Sequence, residues 1–238
     1  MNYDLLVPVM RSEILLGLLT SIYNQTKRPV RLVLRDNAKS SLMRNYQIRF
    51  ILDALQIEGV DIRYLRDNLP KDAAKSRNVL FENSISEVIA YADDDAIWSY
   101  NVGQLLLNAI EDGYHFALPN VLTPNEESNV PNYVYPLEYD KHQQFTKHQN
   151  PTRIQVSEGS GCTMFFNRKV YDDRVVKAMD EWGGGLSLDD RVIMRIVKNG
   201  VIEQRAEVWH MMSPVNRTMP LGGFSRTEDR LLDKMYPI

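Results

Sequence analysis

The sequence has a single cysteine, Cys162, so it offers neither an intrachain disulfide nor a cysteine zinc cluster. It also lacks an apolar stretch near the ~18 residues of a membrane-spanning helix, and its first residues lack the pattern of a signal peptide. The 28 Lys and Arg residues nearly balance the 31 Asp and Glu residues, which argues against broad binding to nucleic acid or anionic membranes. We expect a cytoplasmic protein. Attachment to a membrane-associated assembly through a partner stays open, as does the oligomeric state.

The composition is that of a globular protein, with 44% hydrophobic and 25% charged residues in a chain of 238, long enough for one domain with a full core. The first half alternates short apolar runs with helical patterns, which is typical of a layered α/β domain. Predicted strands cover residues 3–9, 30–34, 60–65, 87–92, 114–118, 163–167 and 201–209. The first predicted helix follows a Ser12 N-cap. Further predicted helices cover residues 42–56, 72–83, 102–111, a segment that begins near 168, 188–198 and 226–235.

Residues 119–151 differ from the rest of the chain, because they are rich in Asn, Pro and Tyr and show no sustained period. We interpret this segment as a long surface excursion. Long excursions from compact domains commonly carry function, and three tyrosines here are candidates for contact with a second substrate: Tyr133, Tyr135 and Tyr139.

Three consecutive acids, Asp93, Asp94 and Asp95, directly follow a predicted buried strand. Their mutual repulsion is unfavourable unless a cation or hydrogen-bond donors offset it. Open α/β sheets bind their ligands at strand carboxyl ends, so a hard divalent cation bridging these oxygens and a diphosphate explains the cluster. The alternative is a solvated acidic turn that caps the next helix.

Four further features lie at predicted strand ends or in adjoining loops. Asp36 ends the second strand, or is a simple turn residue. Arg77 could reach phosphate oxygens, or be a surface arginine. Asp189 and Asp190 could supply a carboxylate base, or only charge a helix N-terminus. His210 follows the last strand and could complete a metal site, or be structural.

In their order and spacing these features resemble the family 2 glycosyltransferases, which are inverting enzymes with the GT-A fold. The resemblance runs from about Leu6 to His210. It implies a single α/β domain with a Rossmann-like mixed central sheet flanked by helices. The segments that carry it are VPVMR at 7–11 with LLTSIYNQT at 18–26, LVLRDN at 32–37, AAKSRN at 73–78, DDD at 93–95, and GSGC at 159–162 with Arg168.

The resemblance also implies how the chain is divided. Residues 1–118 would bind the nucleotide sugar, residues 119–210 would bind the acceptor, and residues 211–238 would form a tail that closes over the diphosphate. The alternative for this tail, which contains Arg217, is a simple surface segment. The implied donor-binding residues are Pro8, Val9, Arg11, Asp36, Arg77, Asp93, Asp94 and Arg217.

Mn²⁺ or Mg²⁺ is the implied cofactor, held by Asp93, Asp95 and His210. Asp189 would be the catalytic base, because it stands six positions before Arg195 as in the family pattern, and Asp190 is the alternative. The family's usual Glu before this Asp is replaced here by Leu188. Acceptor contacts would come from Gly161, Trp182 and Gly183, although a core-anchoring role is open for the tryptophan.

The implied reaction moves a sugar from a nucleoside-diphosphate sugar, with UDP the commonest carrier, to a hydroxyl of a glycan or other acceptor. A nucleotidyltransferase also joins metal-binding carboxylates to an α/β sheet, but the first strand is followed by PVMRS rather than a glycine-rich phosphate loop. A non-catalytic module that binds nucleotide or carbohydrate is the second alternative. The candidates for metal binding and base catalysis argue against it.

Overall fold

The computed structural model describes residues 1–66, 73–122, 152–157, 159, 161–181, 189–211 and 235. The closing helix expected over residues 226–235, the tail and most of the excursion therefore lie outside the described residues. In the part of the chain that is described, no helix is both long and apolar enough to cross a membrane.

Strands and helices alternate through the first half of the chain, as the pattern of apolar runs predicts. The strands are β1 (Tyr3–Val9), β2 (Arg31–Asp36), β3 (Asp61–Leu65), β4 (Val88–Ala92), β5 (Ala96–Trp98), β6 (Phe116–Leu122), β7 (Arg153–Val156), β8 (Thr163–Asn167) and β9 (Gly200–His210). The helices are α1 (Ser12–Tyr23), α2 (Tyr46–Ile57), α3 (Ala73–Glu82), α4 (Val102–Glu111), α5 (Asp173–Glu181) and α6 (Asp189–Val197).

The nine strands of the described residues form one mixed sheet in the order β3-β2-β1-β4-β8-β6-β9-β5, with β7 paired to β9. Strands β1 to β4 are parallel where they pair. Strand β8 is antiparallel to both β4 and β6, and β6 is parallel to β9. Consequently β1, β2, β4 and β9 all point the same way, and their carboxyl ends lie at one edge of the sheet.

Helices cover both faces of this sheet, so the inner strands are apolar along their whole length rather than alternating. In β1, Leu5, Val7 and Val9 pack into a core shared with α1, α2 and α4. Leu6 points to the opposite face, where it joins a second core shared with α3, α5 and α6. This three-layer arrangement confirms the predicted single α/β domain.

Several element boundaries differ from those predicted. Arg11 rather than Ser12 occupies the N-cap position of α1, so the helix begins one residue earlier than the capping pattern suggests. The helix predicted over 42–56 is divided at Asn45, whose side chain accepts hydrogen bonds from the amides of Gln47 and Ile48 and starts α2 afresh. Strand β6 extends to Leu122 and so takes in the first residues of the predicted excursion.

Candidate functional site

The three consecutive acids form a tight turn between β4 and β5, and this turn sends their side chains in different directions. The amide of Asp93 donates a hydrogen bond to the carbonyl of Cys162, 2.9 Å away, directly before β8. The carbonyl of Asp95 accepts from the amide of Met211, 3.0 Å away, just beyond β9. These two hydrogen bonds anchor the turn to the start of β8 and to the end of β9, where His210 lies.

Asp94 holds the turn that follows β1. Its Oδ2 accepts hydrogen bonds from the amides of Met10 and Arg11, each at 2.7 Å. Its Oδ1 accepts from Nε and Nη2 of Arg11 at 3.1 and 2.7 Å. With four donors and 2% exposure, this carboxylate positions the β1–α1 turn beside the acids.

Asp93, Asp95 and His210 form a group whose potential ligand atoms all lie within 4.8 Å of one another. Nε2 of His210 is 3.2 Å from Oδ1 of Asp95 and 4.0 Å from Oδ2 of Asp93. His210 reaches this position because it ends β9 and pairs with Ala96, the residue after the acids. The structure thus brings together the three residues predicted to hold a metal.

Burial and neighbouring charges shift the pKa values of Asp93, Asp95 and His210. Burial raises the pKa of Asp93 to about 6, even though Arg77 and His210 act to lower it. Burial also acts to raise the pKa of Asp95, but His210 and Arg11 outweigh it and the net pKa is lowered. For His210 burial acts to lower the pKa, and the two carboxylates outweigh it and raise the net pKa. The acids and the imidazole therefore favour each other's charged forms.

Asp95 provides the test of whether a cation fits. The residue is 1% exposed, yet neither of its carboxylate oxygens receives a well-directed hydrogen bond from the described residues. Its contacts with His210 and with Nη2 of Arg11, the latter at 3.0 Å, are close but poorly aligned. Buried carboxylate oxygens are normally hydrogen-bonded. Two carboxylates and an imidazole with unfilled acceptor capacity fit Mn²⁺ or Mg²⁺.

Two arginines supply positive charge beside the acids. Arg77, on α3, is 4% exposed, and its Nη2 lies 3.5 Å from Oδ1 of Asp93. Its guanidinium also lies over the Tyr91 ring, 5.6 Å from the centroid, which fixes its direction. Arg11 contacts Asp94 and Asp95, and its predicted role in donor binding stays a prediction.

A carboxylate from a different helix, Asp190 at the start of α6, lies against this site. A Cβ added at Gly161 would overlap the side chain of Asp190, so only glycine lets the two segments come this close. Burial raises the pKa of the Cys162 thiol, and the negative charges of Asp93, Asp95 and Asp190 raise it further. The thiol itself is buried.

Asp36 ends β2 at the same edge, next to Val9 in the register of β1 and β2. Its Oδ1 accepts from the amide of Ala38, and its Oδ2 accepts from the amide of Leu42, the hydroxyl of Tyr64 and Arg66. The carboxylate is 1% exposed. Asp36 therefore organises the loop after β2, and Pro8 lies one residue before Val9 on the neighbouring strand.

The end of β3 brings two residues that the sequence analysis did not single out. Tyr64 and Arg66 reach Asp36 from this strand, and the hydroxyl of Tyr64 is also 2.9 Å from that of Ser41. The signal that could have found them is topological, since β3 is parallel to β2 and its carboxyl end must lie beside Asp36.

Some predicted residues fall outside the described part of the chain. These are Trp182, Gly183 and Arg217, together with the side chain of Asp189, whose backbone begins α6. Their predicted roles in acceptor binding, lid closure and base catalysis stay predictions.

Comparison with solved structures shows the same fold at low identity. GalNAc-T7, solved with UDP, GalNAc and Mn²⁺, superposes with a TM-score of 0.65 at 12% identity over 89% of this chain and 43% of that protein. TarS 1–349 of S. aureus, solved with UDP, gives a TM-score of 0.61 at 12% identity over 90% of this chain and 61% of that one. The same TarS segment solved with UDP-GlcNAc gives 0.60 at 13% identity, with 90% and 59% covered.

This chain thus spans less than two thirds of the length of each of these structures. No curated protein sequence matches it significantly. The family model described as "Glycosyl transferase family 2" matches residues 5–175, which include β1 to β4, the three acids and β8. That match covers well over half of the chain and confirms the resemblance given by its motifs. The chain belongs to glycosyl transferase family 2.

Proposed function

We propose that this protein transfers a sugar from a UDP-sugar to an acceptor hydroxyl, with inversion at the anomeric carbon and with a divalent cation bound. The observation that carries the proposal is the convergence of Asp93, Asp95 and His210 with Arg77 at one edge of the sheet. These residues come from three distant parts of the chain. A purely structural cluster would satisfy the buried oxygens of Asp95, and this one leaves them for a ligand.

The choice of donor is supported by the solved structures that share the fold. TarS has been solved with UDP and with UDP-GlcNAc, and GalNAc-T7 with UDP, GalNAc and Mn²⁺. In open α/β sheets the ligand crosses the carboxyl ends of the strands. In this chain those ends carry Val9, Asp36 and Asp93, so the nucleotide would lie across β2 and β1 and its diphosphate would reach the acids after β4.

Mn²⁺ or Mg²⁺ would be held by Asp93, Asp95 and His210. When bound, the cation would neutralise charge on the diphosphate that leaves during transfer. Arg77 would add a fixed positive charge on the same side, because its guanidinium already lies beside Asp93. Arg11 would hold Asp95 and Asp94 in place, so that the oxygens facing the cation need not reorganise during the reaction.

The nucleotide would be positioned by the ordered loop after β2. Asp36 fixes this loop through the amides of Ala38 and Leu42, so its effect on the base would be exerted through the loop and through Arg66. Pro8 and Val9 would offer backbone groups from the adjacent strand. Residues outside the described part, Arg217 among them, would complete the diphosphate site.

The acceptor would enter from the side of Gly161 and α6. A base there must remove the proton of the acceptor hydroxyl as its oxygen attacks the anomeric carbon. Asp190 fits this role through its contact with Gly161 beside the acids, and Asp189 keeps the role implied by its spacing from Arg195. Attack from this side, opposite the departing diphosphate, inverts the configuration.

A nucleotide screen tests the donor half of the proposal. We expect UDP-sugars to raise the melting temperature in the presence of Mn²⁺ and to do so much less with EDTA, because a ligand that binds only the folded state stabilises it. GDP- and dTDP-sugars serve as matched comparisons. If no nucleotide sugar stabilises the protein with metal present, the proposal is wrong.

A turnover assay then separates transfer from the two alternative functions. An inverting transferase releases UDP from the donor, slowly to water and faster with an acceptor. A binding module would show metal-dependent stabilisation with no UDP release. A nucleotidyltransferase would instead release pyrophosphate from a nucleoside triphosphate and a sugar phosphate.

A further inference from the structure

Helix α2 carries three large apolar side chains on its solvent side. Tyr46, Phe50 and Ile57 are 69, 70 and 85% exposed. Their spacing places them within one narrow stripe, because successive residues turn by about 100° around a helix. The opposite side of α2 enters the core through Ile48, Leu52 and Leu55. The stripe is therefore additional to the face that α2 needs for its own folding.

The stripe adjoins a groove that enlarges it. This groove has a volume of about 300 Å³ and lies between α2 and the edge strand β3. Its walls include the partly buried apolar side chains of Met43, Ile62 and Tyr64, and on the α2 side the polar residues Arg49, Asp53 and Gln56. Single exposed apolar residues are ordinary on a protein surface. Three that are aligned over the length of one helix are more than such scatter, and we take them as a candidate contact surface.

Two oppositely charged residues flank the stripe. Arg49 and Asp53 are one helical turn apart and both are exposed. Neither is part of an ion pair within the described residues. Their positions make the face complementary to itself: a copy of α2 running the opposite way presents its Asp53 to Arg49 and its Arg49 to Asp53.

The apolar residues fit the same arrangement. A two-fold axis that passes between the two α2 helices at the level of Ile51 places Phe50 close to Phe50 of the second copy. It also places Tyr46 opposite Ile57 at each end, because these two are nearly equidistant from the axis. Apolar contacts and both charge pairs are thus satisfied by one symmetric contact, as a two-fold interface requires. From this agreement we infer that α2 is the contact of a homodimer, with the two α2 helices packed antiparallel.

The size of the surface sets the expected strength. A stable dimer buries roughly 800 Å² on each partner, and one short helix with its groove offers less. The dimer should therefore be weak and reversible, populated at about 100 μM protein and dissociated well below that. This inference does not depend on the proposed sugar transfer, because it rests on exposed residues of α2 and on none of the acids.

Sedimentation equilibrium of the full chain across this concentration range tests the inference. The wild type should show a monomer–dimer equilibrium, and Phe50→Glu should weaken dimerisation at least tenfold, since central aromatic residues dominate interfaces. Ile85→Glu is the matched control, because Ile85 is 71% exposed and is not part of α2. It should dimerise as the wild type does. Circular dichroism checks that each variant is folded.

A charge exchange tests the antiparallel arrangement itself. Arg49→Asp and Asp53→Arg should each weaken the dimer, because each places like charges opposite one another twice across the axis. The double variant should recover most of the wild-type affinity. A chain that stays monomeric at every concentration, a dimer that Phe50→Glu leaves intact, or a double variant no better than the singles would each overturn the inference.

Discussion

A buried carboxylate lies near each end of strand β9, and the two differ in how many hydrogen-bond donors the protein supplies to them. Near the start, Glu203 is fully buried and accepts hydrogen bonds from Arg153 and Arg205 at 2.7–2.9 Å. At the other end, Asp95 beside His210 is almost as buried, but its oxygens lack well-directed donors. Burial alone therefore does not distinguish Glu203 from Asp95, whereas hydrogen bonding does.

The same contrast holds within the three acids themselves. Asp94 accepts four hydrogen bonds and fixes the turn after β1, so its role is to position its neighbours. Asp93 and Asp95 face His210 with capacity left. An acid whose acceptors are filled by the protein contributes to stability, and an acid left short of donors points to a ligand.

The largest effect should come from Asp95→Asn. The substitution removes the charge of a buried carboxylate whose oxygens receive no well-directed hydrogen bond from the described residues, so we expect metal-dependent donor binding to be lost and turnover to fall by about 10³-fold or more. Isothermal titration calorimetry with UDP and Mn²⁺ measures the binding. Glu203→Gln is the matched control and should bind UDP and Mn²⁺ as the wild type does. Unchanged affinity in Asp95→Asn would show that Asp95 does not differ from Glu203 in this respect.

Asp190→Asn should lower turnover by about 10²-fold or more while donor affinity stays near the wild-type value, because only proton removal is affected. Asp189→Asn is its natural twin, and steady-state kinetics of both variants locate the base. Should Asp189→Asn lose turnover while Asp190→Asn keeps it, the spacing from Arg195 identifies the base better than the contact with Gly161 does.

Gly161→Ala should lower turnover by about 10- to 10²-fold. The added methyl group would overlap Asp190, and a displacement of about 1 Å in a catalytic group has effects of this size. Gly113→Ala adds a methyl group where nothing lies within 4 Å, although at a φ of 99° that strains the backbone. It should therefore cost stability but not turnover per folded molecule. Equal turnover in both variants would argue against a catalytic position for Asp190.

Glu203→Gln should have the smallest effect on activity and a measurable effect on stability. We expect the free energy of unfolding at neutral pH to fall by about 1–3 kcal/mol, because a buried pair with two arginines is broken. Arg205 and Arg153 outweigh the effect of burial and lower the pKa of Glu203. The contribution is therefore full above the ordinary carboxyl value of about 4.3 and declines as the pH falls toward the lowered pKa. Urea denaturation at pH 7 and pH 3 measures this; a pH-independent difference would contradict it.

Periodicity and turn residues were sufficient to predict most of the fold. Strands β1 and β8 and helix α4 have the bounds that the pattern predicts. Strands β5 and β7 were not predicted, since each has only three or four residues and exists because β9 lies beside it. Pairing between segments so far apart in the chain leaves no local period to detect.

The sequence predicted which residues of the candidate site lie together, but it did not predict which contacts each of them makes. The motifs placed Asp93, Asp95 and His210 together, and the structure agrees. The sequence does not distinguish Asp94 from its neighbours, because the direction of each side chain is set by the turn between β4 and β5. Nor does it reveal that the Asp36 carboxylate accepts hydrogen bonds from Tyr64 and Arg66, which lie at the end of a different strand.

Anomalous diffraction from crystals soaked with UDP and Mn²⁺ tests most directly whether the unmatched acids bind a cation. We expect one manganese peak bounded by Asp93, Asp95 and His210, with none at Glu203. A peak elsewhere in the protein, or no peak while UDP is clearly bound, would contradict it.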